Sequence, residues 1–340
     1  MTTLLDPRLA LDVARRATGS EPTTTSAQRA EVGATIREAC LRSDAAVRAF
    51  TGWHDARPTP SPKILTRSAW VEANLTSLAP IFERASQELP ISSLVRPVLR
   101  IATSVQIGLL FGYLSRKVIG QYDLFGSDQL YFVGPNVIEV ERRADVDPDD
   151  FRLWVALHEV THALQDGGVP WLRGEITGFI DRSLTVMRNG PSPARLVGAL
   201  RETIAGGGSM SGLLDAVLTP EQRGLMRHAQ GLMSIVEGHA SFVMDEVGAT
   251  MIRDVATLRR KVEGTRGAAL KPERVMQSAI GLDAKRRQYL EGQAFFDAIT
   301  ASHGEGAAAT VWADPDHVPS LDELADPAAW TQRVIDGAGA

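Results

Sequence analysis

His158-Glu159-Val160-Thr161-His162 places two imidazoles four residues apart with a carboxylate beside the first. On an α-helix, positions i and i+4 project from one face, so both rings can reach one cation. Glu159 can then point at the open coordination position, where a water would lie. Two neutral nitrogen ligands, an open site and a proton-accepting carboxylate are what zinc-dependent hydrolysis requires.

The segment carrying the motif has helix boundaries. Asp147-Pro148-Asp149-Asp150 supplies an N-cap, a proline at the first helical position and acidic first-turn residues. Apolar residues recur at Phe151, Val155, Leu157, Val160, Ala163 and Leu164, and Gly167-Gly168 ends the run. A helix so apolar is expected to be buried, and polar groups in it must find partners.

A catalytic zinc commonly takes three protein ligands. Glu237 is one candidate, a carboxylate well inside an apolar helix that opens at Thr219-Pro220-Glu221-Gln222 with a cap, a first-turn proline and a capping-box glutamine. Gly238 beside it would let another helix or a ligand come close. His239 is a second candidate, about 200° round the helix from Glu237, so the two would not share an ion in a straight helix. Glu175, thirteen residues after His162 on an amphipathic helix from Trp171 to Thr185, is a third.

Several segments together resemble the zincin-like metallopeptidase family of actinobacteria and related bacteria, often described as hydrolases associated with deazaflavin-coenzyme biosynthesis. The likeness runs through Tyr131-Phe132-Val133-Gly134-Pro135-Asn136-Val137, the stretch from Ala156 to Gln165, and Val169-Pro170-Trp171-Leu172-Arg173. It continues at Glu237-Gly238-His239-Ala240, Val243-Met244-Asp245 and the stretch from Lys285 to Gly292. The resemblance covers roughly residues 65 to 335. It implies a mainly α zincin-like fold and a mononuclear site with one Zn2+ per chain. It also supports Glu237 as third ligand, since Glu-Gly-x-Ala commonly supplies it in glutamate-type zincins. It implies no particular substrate, and the coenzyme link is one of association.

The chemistry expected is hydrolysis of an amide or peptide bond, with Glu159 as general base. The developing oxyanion needs a donor besides the metal, for which Tyr289 and His239 are the candidates. Ser241 and Asp245, one and two turns beyond Glu237, are candidates to orient a ligand imidazole. Two other readings stand beside this one: a non-catalytic zinc-binding scaffold, and a hydrolase of a small amide metabolite. An intact Glu159 argues against the scaffold.

Composition agrees with an intracellular enzyme. The chain has 340 residues and a net charge of −5, and its basic runs stop at three residues, so nucleic-acid binding gains little support. The single cysteine, Cys40, excludes an intramolecular disulfide and a thiolate cluster; it reads as a small apolar filler. No export signal is visible at Met1-Thr2-Thr3-Leu4-Leu5, and the apolar stretch Val105 to Tyr113 is too short to span a bilayer. A cytoplasmic protein without membrane contact is therefore expected. Gly108 and Gly112 within that stretch suit close packing of buried helices.

Breakers divide the chain into an N-terminal helical cap and linker (1–63) and a metal-binding domain (64–340), one continuous domain overall. Helices are expected at 5–18, 27–52, 67–89 and 94–119, with a long helix at 272–300 and two short ones near the end. Gln129 to Arg142 reads as a hairpin or bent strand, Leu130 to Val133 and Val137 to Val140 flanking Gly134-Pro135-Asn136. It is the natural strand to lie beside the motif helix with its edge free. The gap from His162 to Glu237 (237 − 162 = 75 residues) is expected to hold helices beside the cleft, leaving through a flexible connector at 206–212.

Overall fold

A computed structural model describes residues 3–89, 91–188, 219–266 and 282–337, except for the side chains of 186–188, 266 and 282–289. In chain order the elements are α1 (Pro7–Thr18), α2 (Ser26–Thr51), β1 (Lys63–Leu65), α3 (Arg67–Glu88) and α4 (Arg96–Leu114). Then come β2 (Gly120–Tyr122), β3 (Leu130–Val133), α5 (Gly134–Ala144), α6 (Pro148–Gly168) and α7 (Leu172–Arg188). After residues outside the description follow α8 (Pro220–Met251), α9 (Val255–Arg266), α10 (Leu282–His303), α11 (Gly306–Val311), α12 (Leu321–Ala325) and α13 (Pro327–Thr331). The fold is mainly α with one small mixed sheet. The connector at 206–212 and most of the 75-residue gap lie outside the described residues.

β3 organises the layers. It is the centre of a three-stranded sheet, parallel to β1 and antiparallel to β2. Successive side chains leave a strand on opposite faces. Accordingly Leu130 and Phe132 join the main core with α2, α6, α8 and α10, while Tyr131 and Val133 join a second core with α1, α3 and α4. With both faces covered, the strand is apolar throughout rather than alternating.

Two strand expectations are corrected. β3 is flanked on both sides, so its edge is not free. The segment after it, Gly134–Ala144, is a helix. Pro135 sits in the first helical turn, Val137, Glu141 and Ala144 are buried at helical spacing, and Asp145 closes the end in the left-handed region. The β-branched residues that suggested a strand pack just as well on that face. Among the described residues, the strand beside the motif helix that has an unpaired edge is β2.

The caps read from sequence are present. The Asp147 carboxylate accepts from the N–H groups of Asp149 and Asp150, and Thr219 with Gln222 forms a capping box. α2 packs along α6, and Val32, Ile36, Cys40 and Val47 lie in the main core beside the motif helix's own side chains. Burial, and then the charge of Glu159, push the Cys40 thiol up to about 12, so it remains a neutral filler.

The apolar part of α4 is longer than the expected Val105 to Tyr113. It is a 19-residue helix, long and apolar enough by length and composition to cross a membrane. Gly108 and Gly112 do serve close packing, against α1: a methyl at Gly108 would meet Ala10 O at 2.6 Å, and one at Gly112 would meet Ala17 Cβ at 2.6 Å.

Candidate functional site

α6 and α8 face each other in the main core and bring three side chains together. His158 Nε2 and His162 Nε2 are 3.2 Å apart, and Glu237 Oε2 lies 3.6 and 3.4 Å from them. These edges suit one small cation: donors about 2.0–2.1 Å from a tetrahedral zinc stand about 3.4 Å from one another. The donor set, two imidazole nitrogens and one carboxylate oxygen, is also one zinc accepts. Among the described residues it is the only group of three or more such side chains close enough to share an ion.

Glu159 is buried next to these donors, and a glycine makes room for it. A methyl group on Gly120 of β2 would stand 2.5 Å from Glu159 Cγ and 2.7 Å from Oε1. The Glu159 side chain therefore lies against the backbone of the edge strand. β2 is held in turn by its other side chains. Gln121 Oε1 accepts from Trp70 Nε1 at 2.5 Å, and Gln121 Nε2 donates to Asn74 Oδ1 at 2.9 Å. Tyr122 donates its hydroxyl to Asp166 on α6 at 2.7 Å, and Asp166 also pairs with Arg57 and Arg173. Burial, with the hydrogen bond to Asp166, raises the Tyr122 pKa and keeps the phenol a donor.

One imidazole is oriented by a residue that sequence reasoning passed over. Gln165 Oε1 lies 2.8 Å from His162 Nδ1, and Gln165 Nε2 donates to the carbonyl of Val236 at 2.9 Å. A carbonyl only accepts, so the amide nitrogen must face Val236 and the amide oxygen must face His162. His162 then has a proton on Nδ1, and in the neutral ring Nε2 is the nitrogen left to bind a metal. Gln165 was visible within the motif helix, but its role depends on a partner 71 residues away.

The remaining candidates fall elsewhere. His239 is 2% exposed, enclosed by Trp53, Phe242, Phe296 and Trp312, and its Nδ1 stands 3.3 Å from Gln165 Nε2. Burial, and then the nearby His162, push its pKa down to about 3, so it is a neutral acceptor behind Gln165. That position suits a buttress and not an oxyanion donor. Glu175 is on α7, ion-paired with Arg182 at 3.1 Å and 3.4 Å from His228 Nε2, and is not part of the cluster. Asp245 pairs with Arg259 and accepts from Gln293 rather than from an imidazole. Ser241 is buried on α8. The side chain of Tyr289 lies outside the described residues.

Gly238 meets a helix, as its missing side chain allows. A methyl there would run into the backbone of Gly292 on α10, and one on Gly292 would run into Ser234 on α8. The two backbones cross in contact one residue from Glu237, which ties the cluster's carboxylate to α10.

A family model for zincin-like metallopeptidases matches residues 5–331. The chain belongs to that family. Membership agrees with the donor cluster and implies zinc binding. The chain is also similar to a crystal structure from Chloroflexus aurantiacus, described as a candidate hydrolase with a novel fold. The TM-score is 0.71 at 28% sequence identity, covering 97% of this chain and 98% of that one. No curated protein matches. The family and this neighbour together suggest a zinc-dependent hydrolase, and neither speaks to deazaflavin chemistry.

Proposed function

We propose that the protein cleaves an amide or peptide bond at one zinc ion held by His158, His162 and Glu237, with Glu159 as general base. The observation that carries this reading is the triangle of donor atoms, edges 3.2, 3.4 and 3.6 Å, with Nδ1 of one imidazole already engaged by Gln165 Oε1 and its Nε2 facing the other two. Three protein donors leave a fourth position for chemistry, whereas structural zinc sites are usually closed by four.

When bound, zinc supplies a Lewis acid and lowers the pKa of a water toward about 7. Glu159 takes the proton as the water oxygen bonds to the substrate carbonyl carbon, and returns it to the nitrogen as the C–N bond breaks. Contact with Gly120 confines Glu159 to the β2 side of α6. The outer edge of β2 has no strand partner among the described residues, so an extended substrate can pair there and bring its carbonyl to the carboxylate. This edge favours a peptide over a compact metabolite.

Zinc content and turnover on a peptide library, measured for wild type and Glu159→Gln, test the reading. Glu159→Gln is expected to keep zinc and lose hydrolysis by at least about a hundredfold. Equal turnover by the two proteins contradicts the role of Glu159. Zinc-loaded wild type without turnover favours the scaffold reading.

A further inference from the structure

A small pocket opens between the end of α2, α8 and α11, and none of the three zinc donors lines it. Its walls are Phe50 and Trp53 at the α2 end, Phe242 on α8 and Trp312 just past α11. Phe, Trp and Tyr make up 6% of the chain but four of the nine residues lining this pocket, so rings are concentrated there. Neighbouring rings are inclined to each other. Trp53 and Trp312 stand at 73° with centroids 6.2 Å apart, and Phe50 and Phe242 at 53° and 5.8 Å. Rings set at such angles form the sides of a cup. Ala308 and Ala309 complete the lining with methyl groups too short to fill it, and there is room for more than one water. Phe50 is 37% exposed, so the cup has an open side.

Charge narrows the occupant. Glu305 is the one carboxylate in the lining, and no lysine or arginine lines it. Glu305 is exposed just ahead of α11, and among the described residues no ion pair or hydrogen bond answers its carboxylate. The Thr51 hydroxyl donates to the carbonyl of Val47 at 2.8 Å, which leaves its oxygen to accept. An anion would be repelled by Glu305. A bare metal ion would find one carboxylate among carbon atoms, too few oxygens to replace its water. A neutral apolar group makes no use of the carboxylate. A quaternary ammonium group suits both features. Its methyl surface packs on the rings, its charge is attracted by the rings and by Glu305, and it has no N–H that needs an acceptor.

We propose that this pocket binds the quaternary ammonium head of a small organic cation, held among Phe50, Trp53, Phe242 and Trp312 with Glu305 as counter-charge. The site stands apart from the zinc reading, and neither depends on the other.

Isothermal titration calorimetry of the full chain with choline, at constant ionic strength, tests it. The control is the neutral alcohol in which a tert-butyl group replaces the trimethylammonium, so shape and hydroxyl are kept and charge is lost. Choline is expected to bind saturably, once per chain, with a Kd of about 1 mM or tighter, and to change the tryptophan emission. The neutral alcohol is expected to bind at least about tenfold more weakly. E305Q removes the counter-charge and F50A removes one wall. Each is expected to weaken choline binding about fivefold or more with unchanged circular dichroism, since both side chains are exposed. A choline titration without saturable heat up to about 20 mM overturns the proposal. Equal affinity for the neutral alcohol overturns the cation assignment. Undiminished binding by either folded variant places the ligand elsewhere and overturns the site.

Discussion

His162 Nδ1 and Gln165 Oε1 lie 2.8 Å apart on successive turns of α6, and the amide holding that oxygen is anchored to the carbonyl of Val236, the residue before Glu237. One buried side chain thus orients the His162 imidazole on α6 and pins the stretch of α8 that bears the carboxylate. Helix packing and metal-site geometry are joined at this amide.

Gln165→Met keeps length and removes both hydrogen bonds. Zinc affinity, read by competition with a chromophoric chelator, is expected to fall about 10–100-fold, the usual cost of losing an outer hydrogen-bond partner. An unchanged affinity in a folded variant would remove Gln165 from the account.

Gly120→Ala tests the contact between β2 and Glu159. The added methyl occupies space that Glu159 Cγ and Oε1 now fill, so the carboxylate must move. The variant is expected to bind zinc as wild type does and to lose at least about tenfold in kcat, since a displaced base forfeits much of what proton transfer contributes. Retained turnover would mean the carboxylate is not confined by the strand.

The crossing of α8 and α10 is tested by stability. Gly238→Ala or Gly292→Ala forces two touching backbones apart and is expected to cost about 3 kcal/mol, at the upper end for overpacking. Urea unfolding followed by circular dichroism measures it. A loss under about 0.5 kcal/mol, typical of surface changes, would show that the helices have slack there.

The elements of the site could be read from the sequence wherever local chemistry set them. Asp147-Pro148 and Thr219-Pro220 with Gln222 opened α6 and α8 because caps and first-turn prolines act within a few residues. The spacing of His158 and His162 likewise follows from one helix turn. Gly238 announced a close approach, and Gly292 supplied it. What escaped depends on distant partners. β2 is three residues long and exists through pairing with β3, so no pattern in Gly120-Gln121-Tyr122 reveals it. The helical state of Gly134–Ala144 came from packing one face of β-branched residues, which propensity alone assigns to a strand. Gln165 and His239 look like any buried polar residues until α6 and α8 are set side by side. The exposure of Val98, Ile101 and Leu109 on α4 was hidden for the same reason, because apolar residues read as core until the packing is known.

The central claim is that His158, His162 and Glu237 hold one zinc. Anomalous diffraction at the zinc edge, on crystals of the zinc-loaded protein, tests it most directly. One peak per chain is expected, about 2.0–2.2 Å from Nε2 of both imidazoles and from a Glu237 oxygen. A peak ligated by His239 or Glu175, or a Glu237 carboxylate turned away from a metal held by the two histidines, would contradict it.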